Sequence, residues 1–159
     1  MADRHGKTLL ESALSIPQLG VVEILLGRDD VEWDPTRKFC EKLLYIAVEA
    51  GYHALICGLV AKGVDVNAVE NDGTTPLYIA ALRNDTKTAA VLLNSGADVD
   101  LQDFETWTPL HYAAWEGQLE MAKLLLENGA NVHAETDEGE TALFYAFKYN
   151  ELKRLLEKY

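Results

Sequence analysis

The chain has 159 residues, 48% hydrophobic and 25% charged, the balance of a folded chain with a core rather than of a disordered one. Its 26 acidic against 14 basic residues give a formal net charge of −12, which argues against nucleic acid or an anionic membrane surface as partner. No apolar run approaches the roughly 20 residues of a membrane span, and the first residues lack the apolar core of a signal peptide. Cys40 and Cys57 have no metal-type spacing, so we expect reduced thiols in a cytoplasmic or nuclear protein.

A period of 33 residues divides the sequence into helix–turn–helix units. In the most regular unit, Thr108 is suited to cap a helix that begins at Pro109, and Gly117 is suited to end that helix in a left-handed conformation. A second helix follows and ends before Gly129. The residues that keep the 33-residue step are Leu44, Leu77, Leu110 and Leu143, then Ala47, Ala80, Ala113 and Ala146, then Gly63, Gly96 and Gly129.

Two short motifs at the helix starts identify the type of repeat. They are T-P-L-Y at Thr75–Tyr78 and T-P-L-H at Thr108–His111, and with the 33-residue period they are the repeat signature of ankyrin units. The chain therefore resembles the ankyrin-repeat family over nearly its whole length. The resemblance implies an all-α repeat fold, an ankyrin-repeat solenoid of about five stacked units with β-hairpin-like finger loops. It also implies that His111 joins neighbouring loops by hydrogen bonds.

In chain order, we predict one ankyrin-repeat domain over residues 1–159, expected to be a complete array. Residues 1–33 form a divergent N-terminal cap, residues 34–67, 68–100 and 101–133 are internal units, and residues 134–159 form the C-terminal cap. Asn84 and Asn150 stand where other units have a glycine between their helices, and asparagine is the side chain that best tolerates the left-handed conformation. We predict the last helix over Leu152 to Tyr159.

Positions that differ between the units face solvent, and the resemblance implies that partners bind there, on the finger loops and the concave helix face. Phe104, Trp107 and Trp115 occupy such positions in one unit, and large exposed aromatics are typical of interface anchors. Alternatively, the tryptophans fold back and cover the base of a finger. The candidate partner-binding residues are Asn71, Asp72, Leu82, Arg83, Phe104, Glu105, Trp107, Tyr112, Trp115, Glu116, Asp137, Glu138, Phe147 and Lys148.

The acidic residues around this aromatic centre predict a protein partner with basic groups around an apolar anchor, unless they only make the finger tips soluble. The sequence contains no nucleophile–base constellation and no metal-ligand spacing, so we predict no catalysis, no cofactor and no metal. The function predicted is a monomeric, non-enzymatic adaptor or inhibitor that binds a protein. Alternatives are a sensor that stacks a small cationic or heteroaromatic molecule on Trp107 or Trp115, and a structural or engineered array without a dedicated partner.

The segment Leu59 to Asn67 is a candidate modification site. Through Leu59, Asp65, Val66 and Asn67 it resembles the segment that the oxygen-sensing asparaginyl hydroxylase modifies in ankyrin domains. The resemblance implies hydroxylation of Asn67. The alternative is that Asn67 is only the asparagine that stabilises the loop of the repeat.

Overall fold

A computed structural model describes residues 38–70 and 72–159, which belong to two compact units, Met1–Asp65 and Val66–Tyr159. In the first unit, helix α1 (Lys38–Ala50) packs against helix α2 (His53–Ala61). Gly51 makes the turn between them with φ +69°, a conformation open to glycine. The buried side chains of this helix pair include Leu43, Leu44, Ala47, Val48, Leu55, Ile56 and Leu59.

The second unit contains three helix pairs arranged in two layers. The first helices pack side by side, α3 against α5 and α5 against α7, and the second helices pack as α4 against α6 and α6 against α8. Residues one repeat apart therefore lie on neighbouring elements. The helices are α3 (Pro76–Leu82), α4 (Thr86–Asn94), α5 (Pro109–Trp115), α6 (Leu119–Glu127), α7 (Ala142–Tyr145) with a 3-10 turn (Ala146–Lys148), and α8 (Asn150–Leu156).

The predicted all-α repeat fold is confirmed. Four of the five predicted helix pairs lie in the described ranges, whereas the predicted cap at residues 1–33 lies outside the described residues. Residues 38–70 and 72–159 contain no β-strand, so the fingers are turns between helices. None of the helices in these ranges combines the length and the apolarity that crossing a bilayer requires. The single-domain boundary stays a prediction.

Side chains at the helix starts explain where the first helices begin. The hydroxyl of Thr108 accepts a hydrogen bond from the backbone N–H of His111 at 3.3 Å, and the hydroxyl of Thr75 accepts from Tyr78 N–H at 3.1 Å. Pro109 occupies the first helical position, where its missing N–H costs nothing. The cap predicted at Thr108 is thus confirmed.

The turns between paired helices match the predictions at two positions and differ at a third. Gly117 (φ +72°) and Asn84 (φ +53°) both adopt the predicted left-handed conformation. The prediction for Asn150 is wrong, because Asn150 is the first residue of α8. The chain there tightens into the 3-10 turn and reverses through Tyr149 (φ −115°), which needs no left-handed residue. The last helix also begins and ends earlier than the predicted Leu152–Tyr159.

Small repeated residues let the first helices approach each other. Ala80, Ala113 and Ala146 are fully buried, one in each repeat of the second unit. Leu92 and Leu125 are fully buried at equal positions of the second helices. The alanine and leucine positions that keep the 33-residue step therefore form the core, which leaves the fingers and the ends of the first helices to carry variable side chains.

Candidate functional site

Three fingers precede the first helices of the second unit, and their backbones form the same turn. In each finger the first residue donates its N–H to the carbonyl of the residue four positions later. A residue with positive φ precedes the last position, and it is Gly73 (+82°), Thr106 (+62°) and Gly139 (+74°) in turn. The turn bonds are Glu70 N–H to Thr74 O at 3.0 Å, Asp103 N–H to Trp107 O at 3.1 Å and Thr136 N–H to Glu140 O at 3.0 Å.

Thr106 is the unusual residue of the middle finger. A β-branched side chain with positive φ is sterically strained, so the neighbouring structure must hold it there. Its hydroxyl accepts a hydrogen bond from the N–H of Asp137 at 2.6 Å, and its carbonyl accepts from the side chain of Gln102 at 2.9 Å. The middle finger is therefore bonded directly to the finger that follows it.

Phe104 links the middle finger to the preceding one. Its backbone N–H donates to the carbonyl of Asp72 at 3.2 Å, and its ring lies over Gly73. A Cβ on Gly73 would lie 2.6 Å from the ring carbon Cδ1 of Phe104. The Phe104 side chain is nevertheless 72% exposed, because only one edge of the ring meets Gly73.

An aromatic cluster runs from helix α3 to helix α7 and includes the base of the middle finger. We define it as Tyr78, Tyr112, Trp115, Trp107, Tyr145 and Phe144, each ring in contact with the next. All five of these ring pairs are edge-to-face or tilted, as aromatic quadrupoles favour. The centroid distances along the cluster are 5.5 Å for Tyr78–Tyr112, 5.7 Å for Tyr112–Trp115, 6.0 Å for Trp115–Trp107, 4.6 Å for Trp107–Tyr145 and 5.4 Å for Tyr145–Phe144.

The two tryptophans predicted together have different environments. Trp107 is half-buried among the rings of His111, Trp115 and Tyr145, so the local-packing alternative describes it. Trp115 ends helix α5 and is 52% exposed, although its ring makes edge-to-face contacts with both Trp107 and Tyr112. The cluster therefore holds Trp115 in place while it leaves about half of that side chain in solvent.

The other predicted residues lie on the surface around the cluster. Leu82 and Phe147 are exposed, and among the described residues neither Phe104 nor Phe147 takes part in the ring contacts of the cluster. The ammonium of Lys148 lies 5.1 Å from the centroid of the Phe147 ring. Asn71 lies outside the described residues, and the remaining predicted residues, Asp72, Arg83, Glu105, Glu116, Asp137 and Glu138, are exposed.

A cleft of about 360 Å³ opens between the middle finger and the last finger, and we call it the finger cleft. Its walls carry the rings of Phe104, Trp107 and Tyr145. Its rim carries three carboxylates. The lining residues are Phe104, Glu105, Trp107, Thr136, Asp137, Glu138 and Tyr145.

His111 lies beneath the cluster and holds two loops of the following repeat. Its Nδ1 accepts from the N–H of Thr108 at 3.1 Å, so Nε2 carries the proton and donates to the carbonyls of Ala134 at 3.0 Å and Glu140 at 3.2 Å. Burial lowers the pKa of His111, which keeps the ring neutral at neutral pH. The hydrogen-bonding role implied by the resemblance is present.

The tyrosines of the cluster stay protonated hydrogen-bond donors. Burial raises the pKa of the Tyr78 phenol, and the charge of Asp103 raises it further. Burial raises the pKa of Tyr112 and of Tyr145, and the Tyr145 hydroxyl also donates to the carboxylate of Glu140 at 2.5 Å. That bond fixes the orientation of the Tyr145 ring in the wall of the cleft.

Tyr78, Phe144, Tyr145 and Thr136 were missing from the residues predicted for this surface. A signal for the three aromatic residues was present, because Tyr112 and Tyr145 are one repeat apart, and Tyr78 and Phe144 stand one repeat before and after His111. No such signal marked Thr136. Equal positions of stacked repeats are spatial neighbours, so aromatic residues at these steps lie close together. Within residues 38–70 and 72–159, no group of three or more His, Cys, Asp and Glu side chains has the arrangement of a metal site.

Asn67 lies in a loop rather than near the cluster. Its side-chain oxygen accepts from the N–H of Asp98 at 2.8 Å, and its side-chain nitrogen donates to the carbonyl of Gly96 at 3.2 Å. One repeat later, the carboxylate of Asp100 accepts from the N–H of Asn131 at 3.0 Å. Asn67 therefore stabilises the loop between repeats, and its hydroxylation stays a prediction.

Comparison with known proteins identifies the repeat. A family model described as ankyrin repeats, in three copies, matches residues 44–136, more than half of the chain. The chain is also similar to proteins named neurogenic locus notch homolog protein 1, with 33% identity over 91 residues in Mus musculus, 32% over 91 in Homo sapiens and 36% over 93 in Xenopus tropicalis. Each match covers 57% of this chain but only 4% of the relative's length.

Proposed function

The chain belongs to the ankyrin-repeat family, whose repeats are generally protein–protein interaction modules, and on this premise we propose a non-enzymatic adaptor or inhibitor that binds a partner protein. The binding surface consists of the aromatic cluster around Trp115 together with the acidic finger tips. The partner presents an apolar group for the cluster and basic groups for the acids.

The position of Trp115 carries this proposal. Its ring is half exposed, yet it is supported by Tyr112 on one side and Trp107 on the other. An aromatic side chain that is already ordered loses little conformational entropy on binding, and such residues dominate the energy of many interfaces. Leu82 at the end of helix α3 is 44% exposed and extends the apolar surface onto the preceding repeat.

The charge around this surface supports a partner with basic groups. Glu116 follows Trp115 directly, and Glu105, Asp137 and Glu138 are exposed on the two fingers beside the cluster. Charges on the rim of an interface mainly raise the association rate and make it sensitive to salt. We therefore expect association to slow as ionic strength rises, with a smaller change in the dissociation rate.

The test compares Trp115→Ala with Tyr159→Ala, a substitution of another exposed aromatic residue that follows helix α8. Each variant and the unchanged chain would capture proteins from a lysate, and the binding of each purified candidate would then be measured by calorimetry. We expect Trp115→Ala to weaken binding by at least about tenfold, the scale of a hot-spot residue, with Tyr159→Ala close to the unchanged chain.

As a control, the free energy of unfolding of each variant must first lie within about 1 kcal/mol of that of the unchanged chain. If the captured proteins bind the folded Trp115→Ala variant as tightly as the unchanged chain, the aromatic cluster is not the binding surface. If no protein binds specifically, the adaptor or inhibitor function is wrong.

Hydroxylation of Asn67 is a separate proposal. The enzyme would need the Asn67 side chain released from Gly96 and Asp98, so partial opening of this loop must precede the reaction. Incubation with the oxygen-sensing asparaginyl hydroxylase followed by mass spectrometry tests it, and Asn131, an exposed asparagine in the loop two repeats on, serves as the internal control. An unmodified Asn67 would refute the proposal.

A further inference from the structure

We propose that the finger cleft is a subsite for one arginine side chain of the partner, an inference that rests on the proposed function. The guanidinium would lie among the rings of Phe104, Trp107 and Tyr145 and bond to carboxylates at the rim. Trp115 would contact a different, apolar part of the same partner.

The walls of the cleft have the chemistry that a cation prefers. The rings of Trp107 and Tyr145 pack against each other, with centroids 4.6 Å apart and planes inclined at 42°, and both residues line the cleft. Phe104 lines the cleft from the middle finger, and its side chain is mostly exposed. A cation near the faces of these rings is attracted by their quadrupoles, and tryptophan gives the strongest attraction.

The rim of the cleft carries three carboxylates, those of Glu105, Asp137 and Glu138. Within residues 38–70 and 72–159, no lysine or arginine pairs with the carboxylates of Glu105, Asp137 or Glu138. The side-chain ion pairs between described residues are Lys123–Glu120 in helix α6 and Lys153–Glu157 at the end of helix α8, and none of these residues lines the cleft. An incoming cation would therefore meet three carboxylates that no cation of the described chain already occupies.

The backbone of the rim is ordered before binding. Asp137 donates its N–H to the hydroxyl of Thr106, and Glu105 donates its N–H to the carboxylate of Asp103 at 3.0 Å. Tyr145 is oriented by its bond to Glu140. Because these bonds hold the rim backbone and the Tyr145 ring in place, less of the chain has to be ordered on binding, which lowers the entropic cost.

Arginine matches the cleft better than other cations. Its guanidinium is planar, stacks on aromatic rings, carries five N–H donors and is more weakly hydrated than an ammonium. Carboxylates on two fingers can accept several of these donors while an aromatic ring of the cleft covers one face of the guanidinium. A metal ion does not match, because the described residues contain no His, Cys, Asp and Glu group arranged for one.

Two small probes test the charge requirement. The first is N-acetyl-arginine methylamide, and the second is its citrulline counterpart, which has nearly the same shape but no charge. Each would be titrated into the full chain while the indole N–H of Trp107 and the ring signals of Tyr145 and Phe104 are followed by NMR. We expect saturating shifts of these signals with the arginine probe, and binding at least about tenfold weaker with the citrulline probe.

A matched set of variants locates the charges. Asp137→Asn with Glu138→Gln removes two rim charges at nearly constant shape, and Glu151→Gln with Glu157→Gln removes two charges on and just beyond helix α8. We expect the rim variant to weaken arginine binding by about tenfold and the α8 variant by less than about twofold. Equal weakening would mean attraction to the overall negative charge, which would overturn the subsite.

The inference is also overturned if citrulline binds as well as arginine, or if N-acetyl-lysine methylamide binds more tightly. Failure of the inference and failure of the proposed function remain distinguishable. If a partner's binding depends on Trp115 but the arginine probe does not shift the Trp107 signal, only the subsite is refuted. Arginine binding without any specific protein partner refutes only the adaptor or inhibitor function.

Discussion

The finger at residues 70–74 and the finger at residues 103–107 share one backbone turn, but their side chains meet different surroundings. In the first, Thr74 N–H and its hydroxyl both donate to the carboxylate of Asp72, at 3.0 Å and 2.7 Å, and both of these bonds lie within the finger. These two bonds also lower the pKa of Asp72. In the second, Trp107 stands at the position of Thr74 and its ring contacts Tyr145 of the following repeat.

The same contrast appears at the residue with positive φ. Gly73 adopts it without strain, whereas Thr106 adopts it under strain and bonds to Asp137 on the next finger. Backbone hydrogen bonds hold both turns, so the side chains are free to differ. The repeat geometry thus comes from the backbone and the core, while two substituted positions, Thr106 and Trp107, join the middle finger to its neighbour and build the finger cleft.

The largest effect is expected from removing Trp107. Trp107→Ala should lower the free energy of unfolding by about 3 kcal/mol, because a half-buried indole among three rings leaves a cavity. Thr74→Ala, at the same position of the preceding finger, should cost under about 1 kcal/mol. Urea unfolding of both variants measures the difference. Equal losses would show that Trp107 is no more structural than Thr74.

The next largest effect is a difference in lost stability between alanine substitutions at two glycines with similar positive φ, Gly73 and Gly139. Gly73→Ala should cost about 2 kcal/mol, because its Cβ would meet the backbone nitrogen of Phe104 at 2.8 Å in addition to the strain of positive φ. Gly139→Ala should cost about 1 kcal/mol, since its Cβ would meet nothing within 4 Å. Thermal and urea unfolding would give both values. A Gly139→Ala variant as unstable as Gly73→Ala would contradict the contact between Phe104 and the preceding finger.

A smaller effect is expected from the hydroxyl of Thr106. Thr106→Val keeps the β-branched shape but loses the bond to Asp137, so we expect a loss of about 1 kcal/mol. Thr106→Gly loses the same bond but also relieves the strain, and the two changes of about 1 kcal/mol should nearly cancel. Urea unfolding of the two variants gives their free energies of unfolding, and we expect Thr106→Gly to be the more stable. A more stable Thr106→Val would contradict backbone strain at Thr106.

The smallest effect is a pH dependence of stability. Folding lowers the pKa of His111 below 6.5, so the unfolded state binds more protons between the two pKa values. The stabilisation is complete above pH 6.5 and is lost as the pH falls through the folded pKa. Unfolding free energies measured from pH 7.5 downward should therefore decrease, and His111→Gln should reduce this slope. An unchanged slope in a folded His111→Gln variant would contradict the assignment to His111.

Much of the fold follows from short-range patterns. Thr108 and Pro109 predict a helix start because a cap needs only the residues of one turn. Asn84 and Gly117 predict helix ends because the left-handed conformation depends on the residue itself. The failure at Asn150 has the same physical basis. A residue tolerant of the left-handed conformation does not require it, and the 3-10 turn after helix α7 made it unnecessary.

The binding surface could be predicted less completely. Phe104 and Trp115 were identified as exposed aromatics from their variable positions, and both are exposed. Trp107 was placed with them, but its burial depends on Tyr145 and His111, which reach it only because helices α5 and α7 pack side by side. The pattern of one repeat contains no information about which side chain of the next repeat fills the space beside it.

The linear sequence thus determined the repeat, its helix boundaries within a few residues, the alanines and leucines of the core and the acidic character of the fingers. The tertiary structure decided that Trp107 is packed while Trp115 is exposed, that Thr106 is bonded to Asp137, and that two fingers enclose a cleft. The reason is physical. Capping, periodicity and charge act over a few residues, whereas burial and enclosure arise between residues about 33 positions apart that meet only when the repeats stack.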